Sequence, residues 1–240
     1  MKKDSFLSRL FGFLYVPRCV GCKELLPDSS QILCEACMQR YKLLCHRKCR
    51  NCGNDLCVCD CAKEGMEANG TWRLSKLCAY LPKEKNSPFK GMMYALKHKN
   101  NSDVREFFAE ELASMIRRKC DGYESYTICY VPRSRKMKKK YGYDHMQEIA
   151  RLVSNKLGVG YVDAFYKNEG AKEQKKLKFA ARFKNAQNSI MLKDGTDAAD
   201  RRYILLDDVS VTGASLGRCA SLLINEDARE VRSFVIAVRP

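Results

Sequence analysis

The chain is 240 residues long and 45% hydrophobic, enough for one medium α/β domain plus a small extra module and apolar enough for a packed core. Its formal charge of +16 favours polyanionic partners: nucleic acid, anionic lipid or a polyphosphate substrate. Fourteen cysteines exclude an ordinary cytosolic enzyme composition, and ten of them fall between Cys19 and Cys61, at spacings that read as metal ligands rather than disulfides.

At the N-terminal end, Ser5 to Tyr15 reads as a short amphipathic helix whose aromatic residues pack on the rest of the chain or lie on a membrane surface. The apolar stretch Phe6 to Val16 is interrupted by Arg9 and is too short to span a bilayer. Pro17-Arg18-Cys19 lacks the small-residue pattern of a secretory cleavage site. A cytoplasmic, reducing location with no stable membrane span is the expectation.

Cys19-x-x-Cys22 and Cys34-x-x-Cys37, with eleven residues between them, form two knuckles. Each makes a tight turn whose backbone N–H groups point at sulfur, and together they supply four thiolates to a tetrahedral zinc. Four thiolates leave no open coordination position, so this zinc is structural. Cys49-x-x-Cys52-Gly53 opens a second site. Cys57 and Cys61 are the expected partners, but Cys59 with Cys61 is an open alternative, and Cys45 and His46 lie close by as competitors. Cys78, Cys120, Cys129 and Cys219 are scattered in apolar or helical surroundings and read as core thiols.

Beyond the knuckles, Ala62 to Thr71 is polar, contains Gly65 and Gly70, and reads as a linker. Trp72 to Leu81 is strand-like. Ser87-Pro88 opens a helix with Phe89, Met92, Met93 and Leu96 on one face and Lys97 on or beyond its polar side. Asp103 to Lys119 is a second helix. From Tyr126 onward strands and helices alternate: a strand at Thr127 to Val131, a basic loop from Arg133 to Lys140 with six Lys or Arg in eight positions, and a helix from Asp144 to Leu157. A strand follows at Tyr161 to Tyr166, then a polar stretch to Lys176, a helix at Leu177 to Lys184, and strands at Ile204 to Leu206 and Val231 to Val238. This alternation predicts an α/β fold with a largely parallel sheet flanked by helices. Ligands of such sheets bind beyond the carboxyl ends of the strands, which places the loops after Val131 and Leu206 on one rim.

The most informative stretch is Tyr203-Ile-Leu-Leu-Asp-Asp-Val-Ser-Val-Thr-Gly-Ala-Ser215. A short buried strand ends in two carboxylates, then come a turn of small and hydroxyl residues and a helix from Leu216 to Ile224. Free N–H groups in the loop and at the helix start suit a phosphate, and ionised carboxylates accept hydrogen bonds from vicinal sugar hydroxyls.

This stretch resembles the phosphoribosyl diphosphate motif of type I phosphoribosyltransferases, and the knuckles in front narrow the resemblance to the ComF family of competence and phosphoribosyltransferase-like proteins. Val131-Pro132 with Gly142-Tyr143, the series Gln174, Leu177, Arg182 and Asn185, and Leu96-Lys97-His98 resemble three further segments of that family. The resemblance implies a type I phosphoribosyltransferase fold with a small Cys-rich zinc module in front. The division is 1–62 for the module, 63–125 for linker, hood and leading helices, and 126–240 for the core.

It also implies roles. Asp207 and Asp208 face the ribose hydroxyls. Val209, Ser210, Val211, Thr212, Gly213, Ala214 and Ser215 wrap the 5′-phosphate. Arg133, Arg135, Lys136 and Arg182 neutralise the diphosphate. Mg2+ arrives on the substrate phosphates. Two basic clusters, with Lys138, Lys139 and Lys140 in one and Lys175, Lys176 and Lys178 in the other, are candidates for single-stranded DNA, with Tyr141, Tyr143 and Phe179 among them to stack on bases.

The implied activity is handling of single-stranded DNA in natural competence, alongside DNA-uptake or recombination proteins. An active phosphoribosyltransferase in nucleotide salvage is the alternative. The chain departs from the family pattern at Val211, where threonine is usual, at Met137 and Tyr141, where arginine is common, and at Tyr143-Asp144-His145, where Phe-Asn-Gln is usual. Asp144 is expected to cap the following helix and His145 to lie on the surface.

Overall fold

The computed structural model describes residues 16–71, 73–168 and 186–239. The N-terminal amphipathic helix, Trp72, the helix at 177–184 and the candidate residues Lys175, Lys176, Lys178 and Arg182 therefore lie outside the described residues.

Five strands carry the core: β1 (Leu74–Ala79), β2 (Tyr126–Tyr130), β3 (Gly160–Tyr161), β6 (Arg202–Ser210) and β7 (Glu230–Val238). They form one parallel sheet in the order β1-β7-β6-β2-β3. A parallel strand covered on both faces reads as a continuous apolar run, and Tyr203 to Leu206 is buried at every position for that reason. Two short strands, β4 (Phe165–Lys167) and β5 (Ile190–Leu192), pair antiparallel beside it. Among the helices, α1 (Glu35–Cys45) follows the second knuckle, α2 (Glu64–Glu67) precedes β1, and α3 (Pro88–His98) and α4 (Ser102–Lys119) connect β1 to β2. After β2 come α5 (Arg135–Tyr141) and α6 (His145–Leu157), and α7 (Ala214–Asn225) joins β6 to β7. Helices α4 and α6 pack on each other and on the sheet, while α7 lies against β6, β7, β5 and α2. The α/β reading with a parallel sheet flanked by helices is thus the observed architecture.

The apolar faces explain the helices. Phe89, Met92 and Leu96 of α3 and Phe108, Leu112 and Met115 of α4 have no exposed surface, the i, i+3/i+4 pattern of helices lying on a core. Asn101 caps α4 through its side chain to the Val104 N–H at 2.8 Å.

Four expectations change. Arg133 to Lys140 is mostly helix, not loop: the Ser134 side chain accepts from the Met137 N–H, and Gly142 at φ 78° ends the helix in the left-handed region that glycine adopts without strain. The strand expected at Tyr161 to Tyr166 is split into β3 and β4, because Asp163 between them is taken by Tyr130 Oη at 2.8 Å and Lys193 Nζ at 2.6 Å. Strand β6 continues through both carboxylates to Ser210, paired with β7 as far as Val238. The linker at 62–71 contains α2, with Ala62 and Met66 buried.

Candidate functional site

The acidic pair lies inside β6, where successive side chains point to opposite faces of the sheet. The two carboxylates therefore meet different neighbours. Asp208 Oδ2 is 2.5 Å from Lys97 Nζ at the end of α3 and 2.5 Å from His145 Nε2 at the start of α6. Its other oxygen accepts from the Val209 N–H. Asp207 Oδ1 accepts from the Asp208 N–H at 2.8 Å. Burial works against the Asp208 charge, but Lys97 and His145 outweigh it and hold the carboxyl well below the usual carboxylate range. Burial, and then the Asp208 charge beside it, push Asp207 up to about 8.

A cavity of about 210 Å3 lies at the end of β6. Val209, Ser210, Val211, Thr212, Gly213, Ala214 and Ser215 all line it, with Asp207, Lys167 and Ser189. Helix α7 starts at Ala214, so its first N–H groups have no partner within the helix. The Ser189 and Ser210 hydroxyls, on residues 2% and 3% exposed, have no hydrogen-bond partner among the described residues. A buried hydroxyl left unpaired is costly, and both residues line this cavity. Lys167 supplies a cation.

A second cavity of about 320 Å3 shares Asp207, Lys167 and Ser215 and adds Asp208, Lys97, Arg133 and His145. Arg133 is fixed there: its guanidinium lies 4.7 Å from the Tyr141 ring centre and donates to the Lys97 carbonyl at 3.3 Å. Arg135 and Lys136 are exposed on α5 and line neither cavity. Asp144 caps α6 as expected, accepting from the Met146 N–H at 3.2 Å. It also accepts from the Arg133 N–H at 3.0 Å and pairs with Lys138 Nζ at 3.1 Å, so its charge is offset by Lys138. His145 is not a surface residue: it is 4% exposed, because its hydrogen bond to Asp208 draws it under the rim.

Tyr143 is held through its hydroxyl, donating to the Leu96 carbonyl at 2.8 Å and accepting from the Asn100 N–H at 2.9 Å. Lys139 and Lys140 are exposed, with Lys140 Nζ 5.2 Å from the Tyr141 ring centre. Lys97, His145, Lys167 and Ser189 were not singled out from sequence as site residues. The Leu96-Lys97-His98 segment was the one signal for Lys97. Nothing local marked Lys167 or Ser189, which β4 and the helical residues 186–189 just before β5 bring to the rim.

The thiolate clusters are compact. Cys19, Cys22, Cys34 and Cys37 hold their four sulfurs within 4.8 Å of one another, and so do Cys49, Cys52, Cys59 and Cys61. Cys59, not Cys57, completes the second set. The Cys61 N–H donates to Cys59 Sγ at 3.3 Å, while the Cys57 N–H goes to the Cys45 carbonyl at 3.2 Å, turning Cys57 out of the knuckle. In the first set the Cys34 N–H donates to Cys19 Sγ at 3.3 Å. Burial opposes ionisation of Cys19, but N–H donors from Cys22 and Cys34 bring it to about 7; Cys49 falls to about 6 by the same means against the same burial. Four converging sulfurs with N–H donors fit tetrahedral zinc, and both clusters could hold one.

No family model matches the chain, and no curated protein matches it. Among solved structures it is similar to an allosteric regulatory enzyme of purine biosynthesis, at 17% identity and a TM-score of 0.38 over 59% of this chain and 29% of that one. It is also similar to a hypoxanthine-guanine phosphoribosyltransferase from Bacillus anthracis, at 13% identity and a TM-score of 0.37 over 57% of this chain and 67% of that one. A third likeness is to an adenine phosphoribosyltransferase, at 13% identity and a TM-score of 0.41 over 58% of this chain and 72% of that one. The chain thus spans less than a third of the length of the purine-biosynthesis enzyme. The fold class rests on the chain's own parallel sheet and strand order. Among the described residues no helix is long and apolar enough to cross a membrane.

Proposed function

We propose that the chain binds 5-phosphoribosyl 1-diphosphate, or the phosphate of a nucleotide, at the end of β6, and that it is a ComF-type, phosphoribosyltransferase-like protein that handles single-stranded DNA. The observation that carries the first part is the pair of buried, unpartnered hydroxyls, Ser189 and Ser210, in one cavity with Lys167 and the start of α7. A phosphate group offers the acceptors these donors lack. Asp207, with its proton retained near neutral pH, lies where a sugar hydroxyl would follow the phosphate. Arg133 and Lys97 in the adjoining cavity suit a diphosphate, which would bring Mg2+ with it. Isothermal titration with phosphoribosyl diphosphate and Mg2+ tests this: saturable binding by the wild type, weakened roughly tenfold or more in Ser210→Ala, is expected. No heat with the wild type removes the reading.

The DNA part is supported by the charge of +16 and by one exposed row of rings. Tyr94, 54% exposed, lies 4.9 Å from His98, which lies 4.7 Å edge-on to Tyr141. Lys140 and Arg133 flank the row, and rings among cations suit stacked bases. Fluorescence anisotropy with a labelled oligothymidylate should show salt-sensitive binding that Tyr94→Ala weakens. Binding untouched by that change removes the row from the map.

A second reading, turnover on an acceptor base, is favoured by His145 and Asp208 sharing the larger cavity. Product formation on a panel of bases, lost in Asp208→Asn, would establish it.

A further inference from the structure

The stretch expected as a linker, 62–71, rests directly on the loop proposed to hold phosphate. The Gly65 N–H donates to the Thr212 carbonyl at 2.9 Å. A Cβ on Gly65 would sit 2.5 Å from that oxygen and 2.8 Å from the Ala214 nitrogen, so backbone rests directly on backbone. The fit is reciprocal. A Cβ on Gly217 would lie 2.4 Å from the Gly65 carbonyl oxygen, and one on Gly213 would lie 2.8 Å from the side chains of Lys63 and Met66. Gly65 is itself braced by Asn69, whose amide donates to its carbonyl at 2.7 Å.

The other end of this strut is the second thiolate cluster. The Cys61 N–H donates to Cys59 Sγ at 3.3 Å, and its carbonyl takes the buried Lys76 Nζ at 2.7 Å. Three residues separate Cys61 from Gly65. The first cluster abuts a different element: a Cβ on Gly91 of α3 would lie 2.3 Å from the Val20 carbonyl oxygen.

We propose that metal in the second cluster is what holds the phosphate loop in its binding shape. Metal ligation orders residues 59–61, these fix 63–66, and that strut sets the carbonyl of Thr212 and the first turn of α7. No cysteine touches the ligand, yet loss of this metal loosens the site. Binding energy at a four-thiolate site is folding energy for the segment that carries it, and a ligand binds only the fraction of molecules whose loop is competent. The identity of the ligand rests on the sugar-phosphate reading above; the coupling does not.

The test compares the full-length, zinc-loaded wild type with Cys59→Ser/Cys61→Ser, Gly65→Ala and Cys57→Ser. Three quantities are read: zinc per chain, hydrogen exchange of the amides at 209–217, and affinity for phosphoribosyl diphosphate with Mg2+. The double cysteine variant should lose one zinc, exchange its loop amides faster and bind roughly tenfold or more weakly. Gly65→Ala should keep both zincs and show the same two loop effects, which separates the strut from any general failure of the cysteine variant to fold. Cys57→Ser should match the wild type throughout. Wild-type exchange at 209–217 in both the double variant and Gly65→Ala overturns the proposal, and so does a loop that responds to Gly65→Ala but not to loss of the metal. If the loop amides respond as expected while the wild type shows no affinity for phosphoribosyl diphosphate, the coupling stands and the ligand reading falls.

Discussion

Adjacent in sequence, Asp207 and Asp208 are chemically unlike because one strand residue shifts a side chain to the other face. Asp208 keeps its charge against two cations; Asp207 keeps its proton. The folded chain therefore holds a proton on Asp207 that an unfolded chain has lost above about pH 4, so this residue's contribution to stability falls as pH rises, until it ionises at about 8. Asp207→Asn should remove that decline, giving a higher urea midpoint than wild type at pH 8 and a similar one at pH 4. It should also keep the proposed anionic ligand bound above pH 8, where ionised Asp207 repels it. Asp208 has the opposite sign: its depressed value contributes stability above the ordinary carboxylate range that is lost on acidification. Asp208→Asn leaves Lys97 and His145 facing a neutral amide and should cost roughly 2–3 kcal/mol by urea unfolding at pH 7. The acidic pair was plain in the sequence, but its division of labour was not, because Lys97 and His145 come from helices far away in the chain. Cys59 over Cys57 was equally hidden: alternate spacing permits both, and the backbone donors of Cys61 and Cys57 decide.

Helices and strands differ in how openly they are written. Helices α3, α4 and α6 carry apolar periodicity, and their buried faces are those the spacing predicts. Helix α5 has no buried residue and six Lys or Arg across 133–140, so no pattern announces it; its caps, Ser134 and Gly142, define it. The consequence is that its lysines are not equivalent. Lys138 is tied to Asp144, whereas Lys139 and Lys140 are exposed. Lys139→Gln/Lys140→Gln should reduce the slope of log affinity against log salt for single-stranded DNA by about 1–2, with no change in unfolding midpoint. Lys138→Gln should lower the unfolding midpoint as well, because it uncovers a buried carboxylate. Strands β4 and β5 are three residues each, too short for alternation to register, yet β4 brings Lys167 to the cavity.

At the scale of the whole molecule, the parallel sheet and the first thiolate cluster, with its two knuckles, were legible, because alternation of elements and Cys-x-x-Cys spacing are both local signals. The contact between 63–66 and 212–217 was not, since glycines that permit close approach look the same in sequence as glycines that loosen a linker. Thiol counting checks the assignment of all fourteen cysteines. With both clusters metal-loaded, Cys57 should be the first to react with a thiol reagent, because burial pushes the Cys45 thiol up to about 12 and Cys78, Cys120, Cys129 and Cys219 are buried. A chelator strong enough to strip both sites should expose eight more.

Strand β1 takes its place in the sheet by pairing with β7, from Leu74 with Ser233 to Ala79 with Val238. Some 150 residues of chain lie between these partners, so β1 must wait for all of them to be synthesised before its neighbour emerges. The knuckles, whose ligands are close in sequence, can close at once around metal. The chain should thus fold in two separated stages, an early metal-dependent one and a slow one limited by long-range strand pairing. During that interval Leu74, Leu77 and Cys78, all buried at the end, have no sheet to cover them. Cells making this protein faster than it can finish would accumulate it as aggregate rather than as folded chain.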